Sequence, residues 1–522
     1  MECGPTMPFY PAETITEQTL ESGQTVRWSS APLRDIWLAL SGGGFRATAH
    51  HMGVLLAYLR HDMHFRLGIV NSVSGGAIAA GYFGYWLGDW TVSPDWNNRT
   101  GLTALRSFAQ PLINLLRADV FWRGVRRRIG SMFRRDKAPS SPIAIEHLLT
   151  ELLFSDAAAF AQKTFNAQAA ALKLPATKAR AREEPLVQWL GDGPVFVFTT
   201  VDVHMNLPFF VTSLGSGFSA YDVYRVAGHG RGTPIPLARS IAASAAFPLG
   251  FKPVSFELRG IEAELYQRKA ESRHFADAFI PIRFEERERV ALSLTDGGVV
   301  DNRGLAFFSD LARALFAHRL LDTMPKHGHI HAYDMGAAFA LPEKPIRSYT
   351  KTLGRLALMA SDTAQELHTQ LLDERLRLLL APAPELKLFS RDVFRAHQGL
   401  ADEFEISPEL LQHALTIRTH LDRFSDTEIA ALVTIGYKLG VFGLIHAGLV
   451  DKSAMTRTND ELREILDGLL HPLPREQWLD HLQGSGNKFK IARAWKRWRL
   501  SRRHSPPETP PPASDETETT PA

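Results

Sequence analysis

The chain has 522 residues, 45% of them hydrophobic and 22% charged, with a formal net charge of +3. That is ample apolar content for folded domains, and it lacks the charge excess that drives nucleic-acid binding, so no nucleic-acid partner is expected. One cysteine, Cys3, excludes intrachain disulfides and a cysteine-based zinc site, and fits a reducing compartment.

Residues 1–30 read as a polar entry segment; MECGPTMPFYPAETITEQ has no basic n-region and no apolar h-region, which argues against a secretory signal and leaves signal-independent export open. From Ile36 the pattern alternates. Apolar Ile36–Leu40 precedes a helix over about Phe45–Arg60, then come a strand at Ile69–Val73 and a helix through Leu87, in βαβα order. Residues from about 90 to 192 are helix-like and basic and read as an insertion over the sheet. Strands return at Val195–Val203 and Phe209–Leu214, Arg239–Val254 reads as a helix of small residues stopped by Pro248, and Ala291–Thr295 and Ile330–Tyr333 are further strands. The core sheet is expected to be complete by Met335.

After Pro342 the reading is helical to about Leu470, with no strand run. The longest apolar stretch, Ile429–Val450, contains Lys438, His446 and many small residues, and reads as a buried helix pair rather than a membrane span. The proline-rich acidic end cannot bury enough apolar surface to order itself. The expected organisation is therefore an entry segment 1–30, an α/β unit 31–340, a helical region 341–485, a basic tryptophan-containing helix 486–503 and a disordered tail 504–522.

Two glycine-rich turns carry the chemistry. In SVSGG, Ser74 follows a strand and is succeeded by Gly75 and Gly76, so only small side chains crowd its turn and its hydroxyl projects at the N-terminus of a helix. In SGGGFRA, Gly42, Gly43 and Gly44 leave their amide groups open to a ligand, as an oxyanion hole requires; a plain strand-to-helix turn is the alternative. A dinucleotide or phosphate loop fails on detail, with no third glycine at the right spacing and no Gly-Lys-Ser/Thr. Arg46 lies early in the following helix, where the dipole disfavours a cation. A carboxylate that braces the loop, or a lipid phosphate, would compensate it. Asp296 ends a strand before Gly297 and Gly298, a position that suits a catalytic carboxylate or an ordinary turn aspartate. His50 and His51 are the rival bases, but they lie about two turns down the helix from the glycines.

In this order SGGGFRA, SVSGG, IAASAAFPLGFKPV and TDGGVVDNRG resemble the patatin-like phospholipase family, and Arg418–Gly440 resembles the closing helices of its longer bacterial members. Ser41, Ala47 and Ser72 stand where that family more often has Asp, Gly and Gly. The resemblance implies a three-layer α/β/α fold with a mainly parallel central sheet, a helical insertion and a helical C-terminal region. It implies Ser74 as nucleophile, Asp296 as its only side-chain partner and Gly42–Gly44 as oxyanion hole, with Arg46, Gly75, Gly76, Gly297 and Gly298 supporting them. The expected activity is hydrolysis of fatty-acyl esters of membrane lipids through an acyl-enzyme, with no metal and no cofactor. A neutral-lipid esterase, an acyltransferase and a non-catalytic lipid-binding regulator are the alternatives.

Two basic segments suit a membrane surface. Within 117–137, Phe121, Trp122, Val125, Ile129, Met132 and Phe133 oppose Arg123, Arg126, Arg127, Arg134 and Arg135, a pattern of an interfacial helix or of a core-packed helix with a basic face. Within 488–503, Trp495 and Trp498 lie among eight Lys and Arg residues. The expected location is cytoplasmic with peripheral membrane association. No protein regulator is identified.

Overall fold

The computed structural model describes residues 16–19, 25–28, 36–90, 101–120, 194–204, 207–212, 216–218, 237–247, 251–261, 264–268, 279–283, 287–309, 328–335, 385–389, 408–417 and 421–483, with a few single positions between. Most of 121–193, together with the segment 488–503 and the tail, lies outside them, as does most of the basic segment 117–137.

The chain enters the core with strand β1 (Ile36–Leu40), helix α1 (Gly44–Arg60), strand β2 (Leu67–Val73) and helix α2 (Gly75–Trp90). Helix α3 (Leu102–Arg117) follows, then β3 (Val195–Asp202), β4 (Leu207–Thr212), β5 (Ser216–Phe218), helix α4 (Leu237–Ser244), β6 (Val254–Ile261), β7 (Arg287–Asp296), β8 (His329–Tyr333) and β9 (Glu385–Phe389). The helical end comprises α5 (Pro408–Thr416), α6 (Asp426–His446), α7 (Ala454–Leu466) and α8 (Trp478–Gln483).

These nine strands form one sheet in the order β9-β8-β1-β2-β3-β7-β6, with β4 on the other edge of β3 and β5 beside β4. From β9 to β3 the neighbours run parallel, and the pairs beyond β3 are antiparallel. Every residue of β1, β2 and β3 is buried. Strands so apolar need cover on both faces, which is the requirement a three-layer α/β/α arrangement meets. Two short antiparallel pairs, Thr16–Thr19 with Thr25–Trp28 and Glu264–Arg268 with Phe279–Arg283, stay outside the main sheet.

Strand β9 corrects the expectation of a sheet complete by Met335 and of no strand after Pro342. Its sequence, ELKLF, is a five-residue alternation that joins β8 in parallel register at the sheet edge, too short to stand out from helical surroundings. Helix α4 likewise stops short of Pro248, the residue expected to end it. It ends at Ser244, ahead of Pro248, because the Ala246 carbonyl is taken by the Asp296 amide at 3.1 Å and the Thr295 hydroxyl at 2.7 Å.

Residues 429–450 form most of a single helix, α6, and not a helix pair. It is long and apolar enough to cross a membrane, yet Thr427 through Leu444 are all buried inside the protein. Ser425 and Glu428 close a capping box at its start. Helix α6 packs along α1 at close range: a methyl on Gly53 would meet the Val433 carbonyl, and one on Gly436 the His50 carbonyl. Arg117, the first residue of the expected membrane-facing segment, instead grips the first turn of α6, donating to both carboxylate oxygens of Asp426 at 2.8 and 2.7 Å.

Candidate functional site

Strands β2 and β7 meet head to head on one edge of β3. Val73, the last residue of β2, pairs with Thr199, and Asp296, the last residue of β7, pairs with the next position, Thr200. Because β4 covers Val197–Asp202 along the opposite edge, β2 and β7 share the remaining one. Parallel β2 and antiparallel β7 therefore bring their carboxyl ends to the same point. The Ser74 hydroxyl comes near the Asp296 carboxylate there and pulls its pKa down.

Ser74 has a φ of 52°, a left-handed conformation that costs a side-chain-bearing residue roughly 1–2 kcal/mol. This bend ends the strand abruptly and starts α2 at Gly75, with the Ala77 amide donating to the Ser74 carbonyl at 3.0 Å. Position 75 admits no side chain, since a methyl there would run into the Gly44 carbonyl; one at Gly76 would crowd the carbonyls of Leu40 and Ser41. Thus the Ser72 departure leaves the elbow intact. The Ser72 hydroxyl is turned away to donate to the Val197 carbonyl at 3.1 Å.

Asp296 is 2% exposed. Burial raises its pKa from the ordinary carboxylate range to about 6, against the opposing pull of the Ser74 hydroxyl and of a hydrogen bond from the Gly298 amide, 2.7 Å away. Ala246, itself sealed from solvent, takes the Asp296 amide on its carbonyl at 3.1 Å. Gly297 lies flat on the Thr199 carbonyl, where a methyl would not fit. A carboxylate near pKa 6 in contact with a hydroxyl is a better proton acceptor than one near 4.

The glycine loop is braced from several sides. The Ser41 amide donates to the Tyr333 carbonyl at 3.1 Å, and the Ser41 hydroxyl accepts from the Met335 amide at 2.7 Å. The Gly42 amide donates to the Asn302 carbonyl at 2.8 Å and is therefore spent. Gly43 (φ 141°) and Gly44 (φ 57°) adopt conformations that only glycine holds easily, and no carbonyl among the described residues takes up their amides. Both amides lie at the start of α1, where the helix dipole adds positive potential. The Thr419 carbonyl packs directly on Gly44, and the Thr48 hydroxyl ties α1 to the Gly75 carbonyl at 2.8 Å.

Arg46 is 3% exposed and donates to the carbonyls of Met335 (2.9 Å) and Ile417 (3.3 Å). Burial lowers its pKa to about 10, while the charge of Asp334 acts in the other direction. Of the two expected compensations, the brace is the one formed: main-chain carbonyls supply it, with Asp334 nearby, and the head is too buried to meet a lipid phosphate. His50 and His51 are both buried below the loop. The His51 Nε2–H donates to the Ser41 carbonyl at 2.9 Å, which leaves its Nδ1 to accept from His50 Nδ1–H at 3.3 Å. Burial lowers the His51 pKa to about 4 and holds that of His50 well below its ordinary range, so the pair is a neutral prop.

Three contributors escape a motif reading. Ser244 accepts the Ser74 amide on its hydroxyl at 3.0 Å. Asn71 ties β2 to β3 and to the loop after β7, accepting from Thr199 at 2.9 Å and donating to the Gly304 carbonyl at 2.6 Å. Asp301 caps the turn after Asn302, accepting from the amides of Gly304 (2.9 Å) and Ala306 (2.6 Å). A signal existed for Asp301, which stands inside TDGGVVDNRG, and for Ser244, which stands inside IAASAAFPLGFKPV; none marked Asn71.

The family model described as patatin-like phospholipase matches residues 38–308, more than half of the chain. The chain belongs to the patatin-like phospholipase family. No curated protein sequence matches it closely. Among solved structures, human GIVD cytosolic phospholipase A2 in complex with methyl gamma-linolenyl fluorophosphonate is similar at 14% identity and TM-score 0.38, covering 83% of this chain. This patatin-like chain spans only 60% of the length of that human chain. VipD from Legionella pneumophila matches at 11% identity and TM-score 0.22, covering 90% of this chain and 93% of its own. ExoU from Pseudomonas aeruginosa, solved with SpcU, matches at 12% identity and TM-score 0.20, covering 94% and 86%.

Proposed function

We propose that the protein is a serine acyl hydrolase of the phospholipase A or lysophospholipase type, cleaving fatty-acyl esters of membrane lipids. The observation that carries this reading is the convergence of Ser74, held at a left-handed φ, on a buried Asp296 with a pKa near 6. Ser74 Oγ attacks the ester carbonyl while Asp296 takes its proton. The tetrahedral oxyanion is held by the free amides of Gly43 and Gly44 at the start of α1; Gly42 shapes the loop through Asn302 and contributes no donor. Asp296 then passes the proton to the departing alcohol oxygen, leaving an acyl-Ser74 ester. A water molecule, deprotonated by Asp296, attacks that ester; its collapse releases the fatty acid and restores Ser74.

Each oxyanion donor supplies ~3 kcal/mol of transition-state stabilisation. The neutral, apolar wall around Asp296 is consistent with lipid chemistry, since it keeps the carboxylate basic and excludes bulk water. Arg46, Gly75, Gly76, Gly297 and Gly298 support the site through packing and main-chain geometry. We assign lipid-surface contact to the basic segments 117–137, apart from Arg117, which is taken by Asp426, and 488–503. Loss of binding to anionic vesicles on deletion of 486–522 would support the second of them.

The deciding experiment is mass spectrometry of the products formed from a mixed lipid extract by wild type and by Ser74→Ala. Fatty acid and lysolipid released by the wild type alone are expected. Equal release by Ser74→Ala would remove the assignment, and acyl esters of an added alcohol in place of free acid would turn it into an acyltransferase.

A further inference from the structure

We infer that Ser244, the last residue of α4, is a positioning residue that sets the geometry between Ser74 and Asp296. The inference rests on Ser74 acting as the nucleophile. The Ser244 hydroxyl is fully buried and has both of its hydrogen-bonding roles fixed by its partners. The Ser74 main-chain N–H can only donate, so Ser244 Oγ accepts from it, at 3.0 Å. The Thr199 carbonyl can only accept, so the same hydroxyl donates to it, at 2.8 Å.

That relay lies where the backbone is strained. Ser74 is one of two non-glycine residues with positive φ among the described residues, and its N–H is the group whose direction the left-handed bend changes most directly. With an acceptor waiting in the bent direction, the strained conformation is held. Without one, the buried N–H gains nothing from staying bent, and relaxation of φ swings the Ser74 side chain away from Asp296.

The same short turn also holds the other partner. Two residues after Ser244, the Ala246 carbonyl accepts the Asp296 amide at 3.1 Å and the Thr295 hydroxyl at 2.7 Å. The turn itself is stiffened by bonds from Ala245 to Ile241 (2.9 Å) and from Ala246 to Ala243 (3.2 Å). One rigid stretch, Ser244–Ala246, therefore grips the nucleophile by its N–H and the carboxylate by its main chain. Thr199, beneath both, closes the frame through its carbonyl. This assigns the small-residue run IAASAA a task beyond apolar cover: it fixes the spacing of the two reacting groups.

The test compares Ser244→Ala with Ser240→Ala, which removes a second buried hydroxyl from the same helix, and with Ser74→Ala. Steady-state hydrolysis of 4-nitrophenyl octanoate is normalised to the active fraction titrated with a fluorophosphonate. Ser244→Ala is expected to lower kcat per titrated site by about 30-fold or more with KM within about 2-fold, because misplacement of a reacting atom acts on the chemical step. The fluorophosphonate labelling rate should fall in parallel, and the acidic limb of the pH profile should move above pH 6, since Asp296 stays buried but loses the Ser74 hydroxyl that pulls its pKa down.

Ser240→Ala should keep wild-type kcat per site. Ser244→Cys, which preserves volume but offers a weaker acceptor, should fall between Ser244→Ala and wild type, and it carries the test if the alanine variant does not fold. Wild-type kcat per site in Ser244→Ala or Ser244→Cys, or an equal loss in Ser240→Ala, overturns the inference while leaving the nucleophile assignment standing. Labelling and turnover by Ser74→Ala would overturn both.

Discussion

The Ser74 hydroxyl acts on the Asp296 carboxylate in a site where Asp296 is almost sealed from water. The pairing is a compromise between stability and reactivity. Burial makes the carboxylate more basic, and the same burial makes its ionised form costly to the fold.

The pH dependence of turnover follows from that compromise. In the proposed mechanism Asp296 is ionised when it accepts the serine proton, so with a pKa near 6 activity should fall tenfold per pH unit below about 6 and level off above it. The acidic limb of kcat/KM, measured on a soluble ester whose own ionisation lies outside this range, checks it. A limb near pH 4 would mean that Asp296 is solvated in the working enzyme.

Stability should move in the opposite sense. A carboxyl with a raised folded-state pKa stabilises the fold when protonated, below about pH 4, and that contribution is lost as pH rises through about 6. Asp296→Asn keeps the acceptor for the Gly298 amide and removes the buried charge. It should abolish turnover and raise unfolding free energy at pH 8 by up to about 3 kcal/mol, from a shift of about two pKa units. Denaturant titrations of both proteins at pH 4.5 and pH 8 measure this; a variant less stable than wild type at pH 8 would contradict it.

Position 74 separates strain from chemistry. Ser74→Ala and Ser74→Gly should both be inactive, but the glycine variant should be the more stable by about 1 kcal/mol, because it pays no left-handed penalty at φ 52°. Chemical denaturation of the two inactive proteins gives the comparison directly.

The glycine loop should respond unequally along its length. Gly44→Ala places a methyl against the Thr419 carbonyl at a φ of 57° and should lower kcat by about 100-fold or more. At Gly42 a methyl would meet the Asn302 side chain, which can swing aside, and would lie 3.2 Å from the Ser74 Cβ, and the Gly42 amide serves Asn302 in any case. Gly42→Ala should therefore be the milder of the two in single-turnover assays.

His50→Ala and His51→Ala should keep most of the turnover of the folded protein while losing about 2–4 kcal/mol of stability through lost packing and an unpaired Ser41 carbonyl. Loss of kcat by more than about 100-fold in either folded variant would give the histidine pair a part in proton transfer.

Much of this molecule was legible before any fold was considered, for a local reason. Gly42–Gly44, Ser74 with Gly75 and Gly76, and Asp296 with Gly297 are turns whose backbone conformations are dictated by residues within two positions, and apolar runs such as Ile36–Leu40 and Val195–Asp202 can only be buried strands. The order of those turns along the chain was enough to point to the family. Where distant segments decide, the sequence was silent or misleading. The helix of small residues ends early because strand β7 takes the Ala246 carbonyl, and the edge strand Glu385–Phe389 exists because β8 offers it an open side.

What the sequence by itself determined is thus the set of turns and the residue types that sit in them. Tertiary structure decided which of them meet. Ser74 and Asp296 come together because a parallel and an antiparallel strand end on one edge of β3, at Thr199 and Thr200. The basicity of Asp296 arises from burial by α4 and its turn, the Gly42 amide is withdrawn by Asn302, and the Arg46 charge is held by carbonyls from two remote segments. Each of these is a property of groups brought close by packing, and no window of neighbouring residues contains it.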